Sequence, residues 1–272
     1  MRRGAYGGGM STILITGATS GLGRHIAFEL LRSGHTVLAH GRDPERTGSL
    51  VKELRSEGEA DGFVADLASL AQVRELGAKV AEAHPELDVL VNNAGVGAGS
   101  PGSGREVSAD GHELRLAVNY LAPVALSRAL LPVLSANTPA RIVNVGSVGQ
   151  EPLDFDDPEF THGYAGFAAY CRAKFALAAH TFTLAEELTE TGVAVNVLHP
   201  ATFMDTAMVR EGGVAPWSTV ADGAPGVLAL ATQDMGTGRY FDGTSPARAH
   251  EGTYDREVRE RLATLTDRLL AP

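Results

Sequence analysis

The strongest constraint on the fold is an alternation of short apolar runs with longer helical patterns. Runs such as TILIT at 12–16 and DVLVN at 88–92 lack polar alternation, which is typical of strands buried on both faces of a sheet. The stretches between them are long enough to form crossover helices. The alternation therefore predicts an α/β fold, a doubly wound parallel sheet with helices on both faces.

The same patterns give approximate bounds for each element, and no linker or repeat divides the chain, so 11–272 is expected to be one domain. Residues 1–10, MRRGAYGGGM, are expected to form a disordered leader. Seven strands are predicted, at 12–16, 36–40, 62–66, 88–92, 141–145, 193–198 and 239–241. Helices are predicted at 22–33, 45–57, 69–83, 110–134, 168–190 and 218–232, with a last amphipathic helix marked by Val258, Leu262, Leu265 and Leu269.

Charge and cysteine content disfavour several classes of protein. The formal net charge of −10 argues against binding to a nucleic-acid backbone, which requires a basic surface. Cys171 is the single cysteine, so no internal disulfide can form and a cytoplasmic location is expected. The most apolar stretch, LAPVALSRALLPVL, contains Pro123, Arg128 and Pro132, so no membrane helix is expected.

A glycine-rich turn, TGATSGLG at 16–23, follows the first predicted strand and opens the first predicted helix. Its glycines permit a tight turn, close approach of the backbone to a pyrophosphate, and close contact between helix and sheet. Because a helix N-terminus stabilises anionic groups, the turn predicts a Rossmann-type dinucleotide site.

Tyr170 and Lys174 lie four residues apart in AAYCRAK, within a predicted helix. At a rise of about 1.5 Å per residue, the two side chains share one helix face. A phenol beside an ammonium suits acid–base chemistry. The spacing also suits ordinary packing, with the lysine extending its ammonium to solvent.

Four motifs in order resemble those of the short-chain dehydrogenase/reductase family: TGATSGLG, NNAG at 92–95, GS at 146–147 and YCRAK at 170–174. The resemblance extends from about residue 12 to the C-terminal region. LDFDD at 153–157, VNVLHP at 195–200 and GRYFDG at 238–243 are similar to the retinol dehydrogenase-like branch, which carries an insertion between its serine and its tyrosine.

The resemblance implies a catalytic set of Asn119, Ser147, Tyr170 and Lys174. Tyr170 would act as general acid or base at the reacting oxygen, and Ser147 would hydrogen-bond that oxygen. A free tyrosine has a pKa of about 10, so the Lys174 ammonium is expected to lower it. Asn119 would hold a proton-relay water. The alternative is an asparagine that bonds to backbone in a helix kink before Pro123.

The resemblance also implies the contacts of a nicotinamide cofactor. After the sixth strand the chain reads HPATFMDT, with Ala201 where the family usually has glycine, so either Thr202 or Thr206 is expected to contact the nicotinamide. The expected cofactor-binding residues are Gly17, Thr19, Ser20, Gly21, Leu22, Gly23, Arg42, Asp66, Leu67, Asn93, Ala94, Gly95, Tyr170, Lys174, Pro200, Thr202 and Thr206.

The expected cofactor is NADP(H), because Gly41 stands where NAD-binding relatives carry an acid and leaves room for a 2′-phosphate. Arg42 can bind that phosphate, with Arg24 or Arg46 as helpers. Asp43 precedes Pro44 and is expected to cap the second helix instead of repelling the phosphate.

The expected activity is NADP-dependent interconversion of a small apolar carbonyl compound and its alcohol. Alternatives are an epimerase or dehydratase of the same fold, or a nucleotide sensor without turnover. No metal site is expected, because the acidic residues at 154, 156 and 157 lack an EF-hand pattern. Candidate substrate contacts are His162, Tyr164, Phe203, Met204, Met208 and Trp217. A homodimer or homotetramer is expected through the helices at 110–134 and 168–190, where Ala173, Ala176, Ala178 and Ala179 would allow close approach.

Overall fold

A computed structural model describes residues 9–271. Most of the predicted leader therefore lies outside the described residues. The centre is an eight-stranded sheet in the order β3-β2-β1-β4-β5-β6-β7-β8. Its strands are β1 Thr12–Ile15, β2 Thr36–Gly41, β3 Ala60–Val64, β4 Leu87–Asn92, β5 Ala140–Val145, β6 Val193–His199, β7 Tyr240–Asp242 and β8 Ser245–Ala247.

The predicted doubly wound parallel sheet is confirmed, with one strand more than expected. The first seven strands pair in parallel, whereas β8 pairs with β7 in antiparallel fashion. The predicted count missed β8 because it is three residues long, exposed, and contains Pro246. Proline is tolerated there because an edge strand leaves some N–H positions unpaired.

Helices cover both faces of the sheet. They are α1 Gly21–Arg32, α2 Pro44–Arg55, α3 Leu70–Ala83, α4 Leu114–Leu116, α5 Ala122–Ala136, α6 Gly166–Glu187, α7 Ala207–Glu211, α8 Val220–Thr232 and α9 Arg256–Leu269. A π-helical turn, Ala117–Leu121, joins α4 to α5, and a 3₁₀ turn, Glu251–Tyr254, precedes α9.

Alternate strand residues face opposite layers, as the two-residue period of a strand requires. On β1, Leu14 joins a core formed with α3, α5, α6 and α9, whereas Ile13 and Ile15 join a core formed with α1, α2 and α8. All three side chains have no exposed surface. Burial on both faces explains why the strands read as unbroken apolar runs.

The prediction of one regular helix at 110–134 was wrong in two respects. The helix begins at Leu114, because the Glu113 carboxylate caps it by accepting a 2.8 Å hydrogen bond from the Leu116 N–H. Pro123 has no N–H to donate to the carbonyl of Asn119, four residues earlier. The regular helical bond is therefore missing, and the backbone widens into the π turn just before Pro123.

The segment Leu114–Ala136 is long and apolar enough to cross a membrane by length and composition alone. The segment continues through Pro123 and Pro132, which were expected to interrupt a membrane helix. In the structure 72% of its apolar window is buried inside the chain, as in the core helix of an α/β protein. The expectation of no membrane helix stays a prediction.

The alanines expected to form a subunit interface are buried within their own chain. Ala176 and Ala179 have no exposed surface, and Ala173 and Ala178 are 1% exposed. Helix α9 packs against α6, and its Leu262 joins the same core. Interpreting these small residues as a contact between subunits was therefore wrong. A homodimer or homotetramer stays a prediction, now without this support.

Candidate active site

The glycine turn after β1 has the geometry of an anion cradle. Gly17 and Gly21 have φ angles of 66° and 53°, in the left-handed region that favours glycine. A Cβ on Gly23 would lie 2.3 Å from the Gly17 carbonyl oxygen. Ser20 is the N-cap of α1, and its side chain makes no capping hydrogen bond. The first N–H groups of α1 are thus left for an anion.

His40, on β2, holds this turn and was missed by the sequence reasoning. Its Nδ1 accepts a 3.3 Å hydrogen bond from the Gly17 N–H, and its Nε2 lies 3.0 Å from the Ala65 carbonyl. Burial lowers the pKa of His40 to about 4, although the Ala65 carbonyl opposes this effect. The ring is therefore neutral and donates from Nε2. A polar residue within the apolar strand TVLAH was the available signal.

The NNAG turn after β4 is bound to the glycine turn. The Asn93 amide donates to the Thr16 carbonyl at 2.8 Å and the Gly17 carbonyl at 3.3 Å. The Thr16 hydroxyl accepts from the N–H groups of Asn93 and Ala94, both at 3.0 Å. Asn92 points into the core, where it donates to Asn144 on β5 at 2.8 Å. These bonds bring Gly17, Asn93, Ala94 and Gly95 together at the carboxyl edge of the sheet.

Arg42 follows β2 and is exposed, with no hydrogen bond or ion pair among residues 9–271. Arg24, a predicted helper, is instead paired with Glu53 and stacks 4.8 Å from the Phe28 ring. Asp43 caps α2 by accepting from the Arg46 N–H at 2.9 Å, as predicted. The guanidinium groups of Arg42 and Arg46 thus have no partner among residues 9–271, and both are exposed after the end of β2.

Gly41 packs against two threonine side chains, and the room it was expected to leave for a 2′-phosphate stays a prediction. A Cβ at this position would lie 2.5 Å from both the Thr19 methyl group and the Thr47 hydroxyl. Glycine is needed there because these two side chains already fill the space. Asp66, at the next strand end, is exposed and accepts from the Ala68 N–H at 2.9 Å, while Leu67 is buried.

Tyr170 and Ser147 meet beyond the end of β5. Tyr170 lies in the first half of α6 and is half-buried, and Ser147 is 8% exposed. Burial raises the pKa of Tyr170, and a hydrogen bond from the Ser147 side chain opposes the rise. The Ser147 hydroxyl also accepts from the Gly149 N–H at 3.0 Å, so its proton is free to point at the phenol oxygen.

Burial raises the pKa of Tyr170 above its ordinary value, whereas a pKa lowered by Lys174 was expected. The Lys174 ammonium donates to the Val145 carbonyl at 2.7 Å and lies 5.8 Å from the Tyr170 ring centroid. The side chain is 5% exposed, and this burial lowers the pKa of Lys174 to about 8. The two residues share one face of α6, as predicted, but the ammonium is drawn to the end of β5.

Asn119 lies in the π turn with no exposed surface. Its amide donates to the Val96 carbonyl at 2.9 Å and its side-chain oxygen accepts from the Val96 N–H at 2.8 Å. The side chain is therefore occupied by backbone, as in the alternative interpretation. The Asn119 carbonyl lacks its regular helical donor because residue 123 is proline, and a proton-relay water at this residue stays a prediction.

The segment after β6 lies against the glycine turn after β1, through Thr206, and against the NNAG turn after β4, through Met208. Thr206 caps α7 and its methyl group would lie 3.2 Å from a Cβ on Gly21. Thr202 instead lies 3.0 Å from the His199 ring nitrogen. Thr206 is thus the threonine nearer the glycine turn. Pro200 is buried at the start of the segment.

Large apolar side chains are exposed next to Ser147 and Tyr170 in the chain and on the segment after β6. Val148 is 63% exposed and Phe167, one turn before Tyr170, is 62% exposed. Trp217 is 74% exposed and packs edge-on against Phe203, with 4.9 Å between ring centroids. The sequence reasoning had named Phe203 and Trp217, but it missed Val148 and Phe167.

Three other predicted substrate contacts, Tyr164, Met208 and His162, have partners within the chain, and their contact with a substrate stays a prediction. Tyr164 donates to the Glu113 carboxylate at 3.0 Å, and the Met208 side chain packs against Gly97. Asp157 accepts from the Thr161 N–H at 2.8 Å in the exposed acidic loop, where His162 also lies. Within the described part of the chain, no group of three or more His, Cys, Asp or Glu residues could hold a metal ion.

A glycine cradle at the first helix and a buried Ser-Tyr-Lys cluster at the same sheet edge define a dinucleotide-binding oxidoreductase. The family model described as short chain dehydrogenase matches residues 11–214. The chain belongs to the short-chain dehydrogenase family.

Relatives refine this assignment. Human retinol dehydrogenase 13 is 32% identical over 282 residues, covering 95% of this chain and 84% of the relative, which confirms the predicted branch. The structure of an uncharacterized protein from Mycobacterium paratuberculosis has a TM-score of 0.81 at 28% identity, covering 96% of this chain and 93% of the other. The RhlG/NADP active-site complex from Pseudomonas aeruginosa has a TM-score of 0.71 at 29% identity, with coverage of 85% and 94%.

Proposed function

We propose that this short-chain dehydrogenase is an NADP(H)-dependent oxidoreductase that interconverts an apolar carbonyl compound and its alcohol. The observation that carries the proposal is that Ser147, Tyr170 and a buried Lys174 gather at the carboxyl edge of the sheet that also holds the glycine turn. A purely structural tyrosine would not need a serine and an ammonium at a ligand-binding edge of the sheet.

The cofactor assignment is supported by three features of this chain. The uncapped N-terminus of α1 suits a pyrophosphate, and Gly17 and Gly23 let the backbone approach it closely. Arg42 is exposed, with no side-chain partner among residues 9–271, beside the end of β2, where the 2′-phosphate of NADP(H) would lie. The RhlG structure from Pseudomonas aeruginosa contains NADP. Bound NADP(H) would supply or accept the hydride.

The protein's own groups would handle the proton. Tyr170 would donate its phenol proton to the carbonyl oxygen in reduction and accept it in oxidation. Ser147, with its hydroxyl proton pointing at the same position, would stabilise charge on that oxygen. Lys174, with its pKa lowered to about 8 by burial, would return a proton to Tyr170 from the interior, through a water held at the Asn119 carbonyl.

The surface around this cluster favours an apolar substrate. Val148 follows Ser147 and Phe167 lies one turn before Tyr170, and both are exposed, as is Trp217 on the segment after β6. Exposed apolar groups beside polar catalytic groups are typical of sites that desolvate an apolar ligand and orient one polar atom. A cytoplasmic location stays a prediction.

A cofactor-oxidation assay over a panel of apolar ketones and aldehydes tests the proposal. We expect NADPH oxidation with at least one member and loss of turnover in Tyr170→Phe. An epimerase or dehydratase would release an isomerised or dehydrated product without net cofactor oxidation. A sensor would bind NADPH and turn over nothing. Either result would contradict the proposal.

A further inference from the structure

We propose that Tyr240 and Gln150 are positioning residues that fix Ser147 by clamping its backbone carbonyl. The Tyr240 hydroxyl donates to the Ser147 carbonyl at 3.0 Å, and the Gln150 amide donates to the same oxygen at 2.8 Å. The inference rests on the proposed role of Ser147 in proton transfer, and it assigns a role to two residues that do not reach the reacting atoms.

Each donor is itself held. Tyr240 is 4% exposed and lies on β7, paired in register with Val197 of β6. Gln150 has its side-chain oxygen bound to the His250 N–H at 3.0 Å, so its amide is fixed at both ends. The clamp therefore connects Ser147 to β7 and to the chain that leads into the 3₁₀ turn before α9.

A third contact holds the preceding residue. The Gly146 N–H donates to the Leu198 carbonyl of β6 at 2.7 Å. A Cβ on Gly146 would lie 2.7 Å from a Val197 methyl group, so this residue must be glycine for the strand end to approach β6. With the residue before Ser147 and its own carbonyl both fixed, the backbone of Ser147 has little freedom to rotate.

The direction of the Ser147 hydroxyl follows from that backbone. The hydroxyl accepts from the Gly149 N–H, which leaves its proton directed to Tyr170. Val148 is exposed and Gly149 carries no side chain, so the turn is held by Gln150 and, one residue later, by the Glu151 N–H, which donates to the Cys171 carbonyl of α6 at 3.3 Å. Small displacements of catalytic groups lower rates strongly, so loss of the clamp should be measured in turnover.

The test uses Tyr240→Phe, which removes the hydroxyl and keeps the ring in the core. The matched control is Tyr254→Phe in the same C-terminal region, where the hydroxyl accepts from the Ala249 N–H and the ring stacks on Phe182. We expect kcat to fall on the order of tenfold in Tyr240→Phe, with the KM for NADPH unchanged, and no change in the control.

The pH profile and a double-mutant cycle separate positioning from general destabilisation. The apparent pKa governing alcohol oxidation should rise in Tyr240→Phe, because the bond from Ser147 lowers the pKa of Tyr170. In a Ser147→Ala background, Tyr240→Phe should cause no further loss. An equal fractional loss in both backgrounds, or an unchanged profile, would overturn the proposal.

Gln150→Leu provides a second variant if Tyr240→Phe fails to fold, with the same expected changes in kcat and pH profile. If the wild type turns over no carbonyl compound, the proposed function fails and the clamp is tested without turnover. The absorbance of tyrosinate would be titrated against pH in each variant and in the same variant carrying Tyr170→Phe. The difference between the two titration curves gives the pKa of Tyr170. A Tyr170 pKa unchanged by loss of either donor would refute the clamp.

Discussion

Arg42 should determine the preference for NADPH over NADH, and its removal gives the sharpest test of the cofactor assignment. A hydrogen bond to a charged group contributes about 1.5 to 3 kcal/mol. Arg42 is exposed, so water and salt screen its contact and the lower end of that range applies. A loss of about 1.5 kcal/mol corresponds to about tenfold in kcat/KM. Arg24 cannot compensate without breaking its ion pair with Glu53.

We therefore expect the wild type to prefer NADPH by at least about tenfold in kcat/KM, and Arg42→Ala to lose most of that preference with little effect on NADH. The assay is initial-rate kinetics with both cofactors at two salt concentrations, where the preference should shrink at higher salt. Arg55→Ala is the control, since it removes the same charge from the far end of α2, where Arg55 pairs with Asp61. Equal use of both cofactors by the wild type, or an unchanged ratio in Arg42→Ala, would refute the reasoning.

Three further predictions concern Tyr170 as the proposed acid, the pH dependence of stability and the polar core. Tyr170→Phe should lower kcat by about 10²- to 10⁴-fold while NADPH binding, followed by fluorescence titration, is retained; near-wild-type turnover would exclude Tyr170 as the acid. Glu159 raises the pKa of His112 above its ordinary value of 6.5, chiefly through their 2.7 Å hydrogen bond. The resulting stabilisation is fully present below pH 6.5 and is lost as pH rises through the raised pKa of His112. The difference in Tm between wild type and His112→Gln should therefore shrink with rising pH. A difference that stays constant with pH would contradict this. Asn144→Ala should lower the free energy of unfolding, measured by urea denaturation, by at least about 2 kcal/mol. The reason is that the hydrogen bonds to Asn92 and Thr181 are both lost in the core. A change within about 0.5 kcal/mol would show that other groups replace these bonds.

Sequence patterns predicted those parts of the fold that are specified by residues close together in the chain. The buried strands were recognisable because β1 and its neighbours are apolar on both faces. Asp43 was recognised as a helix cap because Pro44 follows it. The start of the helix at Leu114 was not recognised, since Glu113 is an uncommon cap and the π turn results from Pro123 within a longer apolar pattern.

The site residues were predicted as a set, but their contacts depend on partners distant in sequence. Asn119 bonds to Val96, which is 23 residues away, and the Lys174 ammonium bonds to Val145, which is 29 residues away. No local pattern specifies which carbonyl a buried ammonium will reach. His40 illustrates the same limit, because its function depends on the Gly17 and Ala65 backbone groups that the sheet brings to either side of its ring.

The filled space beside Gly41 constrains how cofactor preference can evolve. An acidic residue at the end of β2 would favour NADH, yet its Cβ would clash with Thr19 and Thr47. Substituting Gly41 alone would therefore strain the packing at the end of β2 before the new side chain could contact a cofactor. Smaller residues at 19 and 47 would have to appear first, and each would leave a void while glycine remained. A change of the proposed NADPH preference by this route would pass through less stable intermediates, so positions 19, 41 and 47 would have to change together.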